Sequence, residues 1–508
     1  MTLARGLSLA LSAAAGACTV FAFAPFGVSG VAFVALGYLF WRWQRCESPI
    51  DAAAAGFAFG AGLFGAGASW LVIALVTFGG MPPWLALLAI AILVVYLSLW
   101  PALAGFVAAR LAAPGTWTRL LVGAGAFTAA EWVRSYLFTG FPWLALGYTQ
   151  VPDGLVRGYA PVGGVYLVTL AMALIAALTA QTADALARNA RRAASAAIVG
   201  ALALAVIGVV LARIDWTRSS GASLPVSLVQ GNIVQEAKFD PQFRAGTFDR
   251  YLRLVDQSQG RLIVLPESAF PVFTDEIPDA VLLSLIRTAS ARGADVLLGL
   301  FTALPPEPGD DEPRYYNTVV ALGGSPLQFY RKNHLVPFGE TIPLKPVFGW
   351  FLRSVLHIPL ADQARGGPAQ PPLAVAGVRV AVDICYEDAF GSELRPGARD
   401  ADLLVNVTND AWYGQSIGAW QHNQIAAMRA LELGRPMLRA TNTGITSAIA
   451  HDGRVIAALP WFTQGILEID IAGRQGETPF VRWGDAFVVA LASLVLAVAC
   501  VLARRKPR

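Results

Sequence analysis

Charge is what this chain has least of. Only 14% of its 508 residues are Asp, Glu, Lys or Arg, where an ordinary soluble protein carries about 25%. That argues against a wholly soluble protein. Extensive disorder is excluded as well, because 56% of the residues are hydrophobic. Net charge is equally sparse. Lys and Arg total 38 against 34 acidic residues, leaving +4 and no basic stripe for a nucleic acid. Histidine is rare, and His334, His357, His422 and His451 show no metal-ligand spacing. No metal and no dissociable cofactor are therefore expected. Four cysteines are too few for a disulfide scaffold. Internal repeats and low-complexity linkers are also missing; Arg365–Pro372 is a local Pro/Gly loop.

What is plentiful is apolar sequence, and it is unevenly spread. Apolar runs lie near 6–24, 28–44, 52–77, 84–108, 119–138, 161–182, 193–212 and 484–503. Crossing a hydrocarbon core takes about 20 such residues in a helix. The runs predict about eight spans, with a transmembrane domain over 1–215. A soluble domain is expected over 216–480, then a last helix and a basic tail over 481–508.

Basic residues mark every second break between runs. They are Arg42 and Arg45, then Arg110 and Arg119, then Arg188, Arg191 and Arg192, and finally Arg504, Arg505, Lys506 and Arg508. The alternate breaks carry no net charge. The positive-inside rule then places both termini in the cytoplasm and residues 216–480 outside. In a Gram-negative cell this means an inner-membrane protein with a periplasmic domain. Arg5, an apolar stretch and Ala-Gly-Ala before Cys18 imitate a lipoprotein signal peptide. Ala15 stands where such signals usually want a larger aliphatic residue, so cleavage is not expected. The outer domain holds one thiol, Cys385. A lone thiol in an oxidising compartment is a hazard unless buried or used.

Within 216–480, β-branched runs alternate with helical segments. Strands are predicted at Pro225–Gln230, Arg261–Leu265, Asp295–Leu300, Asn317–Leu322, Val378–Ile384, Leu403–Val407, Met437–Thr441, Thr446–His451 and Ile466–Ile471. Helices are predicted at Phe243–Gln259, Ile277–Arg292 and Trp420–Gly434. This is an α/β pattern with helices packed on a mixed sheet.

Three strand ends carry chemistry. Leu265-Pro-Glu267-Ser268 puts a carboxylate where ligand clefts form, although a surface-loop acid reads equally well. Tyr330-Arg-Lys332-Asn-His334 leads through a Pro/Gly turn to Glu340. Lys332 could serve an oxyanion or simply sit in a solvated basic turn. His334 reads as a hydrogen-bonded structural residue. Val380 to Asp388 is a buried strand that runs into acids, with Cys385 at its end. Such a cysteine is either a nucleophile or a small core hydrophobe.

Taken together, Glu267, Lys332 and Cys385, each in its own motif and in that order, resemble the nitrilase superfamily. Asn406-Val-Thr-Asn-Asp410-Ala-Trp412-Tyr-Gly and Gln421-His422 strengthen the resemblance. With the membrane runs added, the whole chain resembles the apolipoprotein N-acyltransferase family. Phe23-Ala-Pro-Phe26, Glu131-Trp132 and Phe141–Tyr148 resemble that family's membrane half, and Val229-Gln-Gly-Asn232 the start of its catalytic domain.

The resemblance implies an αββα sandwich on a bundle of transmembrane helices. It implies Glu267 as general base, Lys332 as stabilising cation and Cys385 as nucleophile. Glu340, Tyr386 and Glu387 are implied as supporting residues. Phe239 stands where the family can carry a functional Trp, so an indole N–H bond there is lost. The implied reaction moves an acyl chain from a phospholipid, with phosphatidylethanolamine the expected donor, to the lipid-modified N-terminal cysteine of a diacylated apolipoprotein. The bilayer is an implied partner, and a monomer is expected.

Pro346–Pro359 is apolar for a periplasmic loop, and either dips into lipid or packs as a buried helix or flap. Trp412, Tyr413 and Trp420 suit a lid or a core. Glu131 and Arg134 could pair or touch a headgroup. Two rivals stay open. A membrane-anchored amidase would need only one span. A transporter or scaffold with a degenerate domain fits poorly with an intact triad.

Overall fold

The computed structural model describes residues 3–306, 313–341 and 363–504. The chain divides into two compact units. One comprises Met1–Asp215, Gln415–Gln424 and Arg482–Arg508; the other comprises Trp216–Gly414 and Ile425–Val481.

The first unit is helical. Its main helices are Leu3–Cys18, Gly30–Arg45, Pro49–Gly67, Pro83–Leu111, Trp117–Arg134, Ala160–Ala187, Arg191–Leu211 and Ala486–Arg504. Each falls on an apolar run. Among the described residues, five segments are both long and apolar enough to cross a membrane: Leu3–Ala22, Pro49–Gly67, Pro83–Leu111, Arg157–Ala187 and Arg191–Leu211. Gly30–Arg45 is shorter, at 16 residues. Trp117–Arg134 carries Arg119, Glu131 and Arg134. The run read as 52–77 is interrupted, since its helix ends at Gly67 and Ala74–Phe78 forms a separate π-turn.

Local chemistry sets the helix ends and spacing. Ser48 caps Pro49–Gly67 by accepting from the Ile50 and Asp51 amides, with Pro49 at the first helical position. Leu3–Cys18 and Pro49–Gly67 approach so closely that a methyl on Gly16 would meet the Phe59 carbonyl at 1.9 Å. Small residues at the crossing permit this, as they do between helices in lipid. Several polar groups inside this unit are bonded. Gln421 accepts from the indoles of Trp70 at 3.1 Å and Trp143 at 2.8 Å, and donates to the Gly67 carbonyl. Gln424 accepts from the Ala24 amide. Buried Glu131 accepts from the Leu146 amide and the Thr169 hydroxyl.

The second unit contains two six-stranded mixed sheets. The strands are β1 (Arg218–Gln230), β2 (Leu262–Val264), β3 (Asp295–Leu304), β4 (Arg314–Gly323), β5 (Gln328–Arg331) and β6 (Leu373–Val375). They continue as β7 (Val378–Ile384), β8 (Leu403–Thr408), β9 (Met437–Thr441), β10 (Ser447–Ile449), β11 (Val455–Ala458) and β12 (Gly465–Gln475). The first sheet runs β12-β1-β2-β3-β4-β5 and the second β11-β10-β9-β8-β7-β6. β1, β2 and β3 are parallel, as are β7, β8 and β9. β2, β8 and β9 are buried throughout, as the continuous apolar runs of parallel strands require.

β1 lies against β9, so the sheets form the inner layers. Helices Arg244–Gln257 and Asp279–Ala291 cover the first sheet through Phe248, Tyr251, Leu254 and Leu285. Helix Gly391–Asp400 packs beside β7 on the second. The result is the expected αββα sandwich. All nine strands read from the sequence are present. β5, β6 and β11 are additional, and each is at or next to a limit of its sheet: β5 and β6 close one end, β11 another. Parallel pairing leaves the C-terminal ends of β2, β7 and β8 on one side of their sheets, where ligand clefts form in such folds.

Candidate active site

Glu267 follows the end of β2. Its approach to β3 depends on Gly299, where a methyl would meet the Pro266 carbonyl at 2.4 Å and the Ser268 amide at 2.7 Å. Both carboxylate oxygens are held. Oε1 accepts from Asn317 Nδ2 at 2.7 Å, and Oε2 from the Asn409 amide at 3.0 Å. Asn317 is on β4 and Asn409 follows β8, so both sheets fix this one side chain.

Lys332 follows β5 and is fully buried. Its Nζ donates to Glu340 Oε1 at 2.7 Å and lies 3.6 Å from Glu267 Oε1. Glu340 Oε2 accepts from the Val336 amide, which orients it. Burial opposes the Lys332 ammonium, but Glu340, Glu267 and Cys385 outweigh it and raise its pKa. Lys332 is thus a fixed cation between two carboxyl groups.

Cys385 follows β7 and opens the turn Cys385–Ala389. Its φ of 56° lies in the left-handed region, which costs about 1–3 kcal/mol for a residue with a side chain. Burial pushes the Cys385 thiol well up, and Glu267 adds to this while Lys332 opposes it. The resting thiol is therefore protonated. For this sulfur to attack, a base must first take its proton.

Glu387 binds the neighbourhood together. Oε1 accepts from the Asn333 and His334 amides, and Oε2 from the Ile384 amide and the Tyr330 hydroxyl. It thereby ties the residues after Lys332 to the residue before Cys385. Burial raises its pKa against these hydrogen bonds. Tyr386 is buried, with its ring edge-on to His334 and Phe390. His334 stacks on Phe390 and hydrogen-bonds Glu393 at 2.9 Å, a structural setting as its sequence context suggested.

The structure therefore brings together Glu267, Lys332 and Glu340 by direct contact. Cys385 joins them electrostatically, and Glu387 by the backbone it holds. Phe239 is 52% exposed and lies over Phe301. Trp412 is 40% exposed in the turn Asp410–Tyr413. Pro346–Pro359 lies outside the described residues.

Sequence reasoning missed Asn317, Asn409 and a buried ion group. Arg439 donates to Asp388 at 3.0 Å and to Asp410 at 3.0 Å, all three fully buried behind the Cys385 turn. Asn409 and Asp410 stood inside a motif that was noticed, but nothing marked which way they point. Asn317 is paired with Phe301 across the β3–β4 ladder, and only that register aims it at Glu267.

Comparison with known proteins agrees with this layout. Residues 15–178 match the family described as apolipoprotein N-acyltransferase N-terminal domain, and residues 225–480 match the carbon-nitrogen hydrolase family. An apolipoprotein N-acyltransferase of Nitrosomonas europaea is 47% identical over 95% of this chain and 95% of its own. The chain belongs to the apolipoprotein N-acyltransferase family. The family's relatives from Methylococcus capsulatus and Chromobacterium violaceum are each 40% identical. They cover 98% and 99% of this chain, and 97% and 95% of their own. The match spans the helical unit and the sandwich alike.

Proposed function

We propose that this protein transfers a fatty acyl chain from a phospholipid to the α-amino group of the N-terminal S-diacylglyceryl cysteine of apolipoproteins. The acyl chain passes through a thioester on Cys385. The observation that carries this reading is a fully buried Lys332 between Glu267 and Glu340, beside a protonated cysteine on a strained turn. Such a cluster needs a proton acceptor, a fixed positive charge and a nucleophile, and it supplies all three.

In the first half-reaction Glu267 accepts the Cys385 proton as sulfur attacks the ester carbonyl. The carbonyl oxygen becomes an oxyanion next to Lys332. Collapse breaks the ester C–O bond, and Glu267 returns the proton to the departing lysophospholipid. In the second, the acceptor amine attacks the thioester carbonyl and Glu267 takes an amine proton. The C–S bond then breaks, the amide remains, and the proton goes back to the Cys385 sulfur. One site serving both substrates in turn gives ping-pong kinetics.

Phosphatidylethanolamine is the proposed donor and the protein acts as a monomer. Residues 1–215 and 481–508 form the transmembrane part in the bacterial inner membrane, with both termini cytoplasmic. Residues 216–480 form the periplasmic catalytic domain. The apolar outward faces of the helices and the alternating basic breaks support this placement.

Intact-mass measurement after incubation with phosphatidylethanolamine vesicles tests the reading. A fatty acyl adduct mapping to Cys385, labile to hydroxylamine and discharged by a diacylated lipopeptide, is expected. Absence of any adduct on Cys385, with lipopeptide acylation continuing in Cys385→Ala, would overturn it.

A further inference from the structure

A second lysine lies in this site. Lys238 ends the short helical turn Gln235–Lys238 and is almost fully buried. Its Nζ donates to the main-chain carbonyl of Glu267 at 3.0 Å. No other hydrogen bond to Lys238 Nζ is found among the described residues, so two of its three N–H donors are left over. The same turn grips Glu267 from its other end. Gln235 Oε1 accepts from Asn409 Nδ2, and the Asn409 amide donates to Glu267 Oε2.

Burying an ammonium with a single neutral acceptor is costly. Charge counting shows what offsets that cost. Glu267 and Glu340 bring two carboxylates, and Lys332 brings one ammonium. Counted as ionised, these three leave one negative charge in a largely buried cluster. Lys238 brings the sum to zero. Its carbonyl contact also holds the backbone just before Ser268, whose φ of 46° is itself strained.

We infer that Lys238 is the second cation of the site, a positioning residue that fixes the Glu267 backbone and offsets the negative charge facing Cys385. This rests on the reading of Cys385 as the acyl carrier. The groups that face Lys238 are Glu267 and Cys385, with Lys332 and Glu340 beyond them. Burial lowers the Lys238 pKa to about 8, against the pull of Glu267 and Cys385. Lys238 is therefore charged at pH 7 and loses its charge as pH rises through about 8.

The test is alkylation of Cys385 by iodoacetamide in the full-length, detergent-solubilised protein, followed by peptide mapping across pH. Lys238→Met is expected to slow alkylation about tenfold at pH 7, one pKa unit of cation–thiolate coupling. The gap should narrow above about pH 8, where the unmutated protein also lacks the charge. Lys238→Arg should keep the unmutated rate at pH 7. Alkylation of Lys238→Met at the unmutated rate would overturn the inference. So would equal slowing at every pH, or Lys238→Arg as slow as Lys238→Met, because each marks a purely structural role. Lys238→Gln repeats the comparison if Lys238→Met does not fold. Alkylation needs no lipid, whereas the acyl adduct from phosphatidylethanolamine needs no lysine variant. Failure of either reading is therefore seen separately.

Discussion

The two units solve opposite solvation problems. In the helical unit the large apolar side chains Leu87, Ile92, Val199, Leu202 and Val206 point outward. Its interior holds small residues at helix crossings, large rings such as Phe40, Trp43 and Trp143, and a few polar groups including Glu131 and Arg134. In the sandwich the apolar residues point inward around the sheets, yet fully buried Lys332, Arg439, Asp388 and Asp410 sit among them. An outward apolar face along helices of this length suits hydrocarbon. An inward charge is stable only when paired, and it stays responsive to chemistry at its partner. The contrast separates where the protein lives from what it does.

Three substitutions probe that contrast. The largest effect is expected at the inward charge. Lys332→Met should raise the barrier for Cys385 acylation by about 3–4 kcal/mol, roughly a few hundred-fold in rate. The initial rate of acyl-adduct formation measures this, and a loss below tenfold would show that Lys332 is not the oxyanion's partner. Next comes the outward face. Leu202→Asp, near the middle of helix Arg191–Leu211, should cost about 2.5–3.5 kcal/mol of membrane insertion. Leu202→Ile should cost almost nothing. Insertion of the translated full chain into microsomes reports both, and equal insertion of the two would erase the distinction between the units. The smallest effect is expected at Glu387→Gln. The amide nitrogen cannot accept; turned toward Tyr330, whose hydroxyl can accept instead, it leaves the Ile384 amide as one donor without its partner, at about 1–3 kcal/mol. The thermal midpoint should fall by a few degrees, and an unchanged midpoint would mean that Glu387 is not a tie.

Much of this was legible in the residues, for identifiable reasons. Central strands betray themselves because both their faces are buried, as in β8 and β9. The strands without a sequence signal, β5, β6 and β11, are only three or four residues long and partly exposed. Glu267, Lys332 and Cys385 stand out as an ordered set, each in its own motif, although each has an ordinary reading alone. Lys238 does not, since a lysine in a polar turn looks like solvent-facing charge until its neighbour Phe239 is seen to point outward instead. Asn317 and the Arg439 group needed the register of one strand against another, which local sequence does not encode. The helix break at Gly67 also went unread, because Ala68–Phe78 stays apolar through the interruption.

The four bonds of Glu387 have a consequence for how the molecule matures. Its donors come from residues 330, 333, 334 and 384, so they belong to separate stretches of chain joined by a long connection. The first three follow or belong to β5 of the first sheet and the last ends β7 of the second, so the four bonds are complete only when both sheets have formed. Contacts between residues so distant in sequence are slow to make and are made late. A half-folded chain therefore holds a cysteine without Glu267 or Lys332 beside it, its thiol uncovered and near its ordinary pKa. Completing the fold buries that thiol and sets Glu267 and Lys332 against it in the same step.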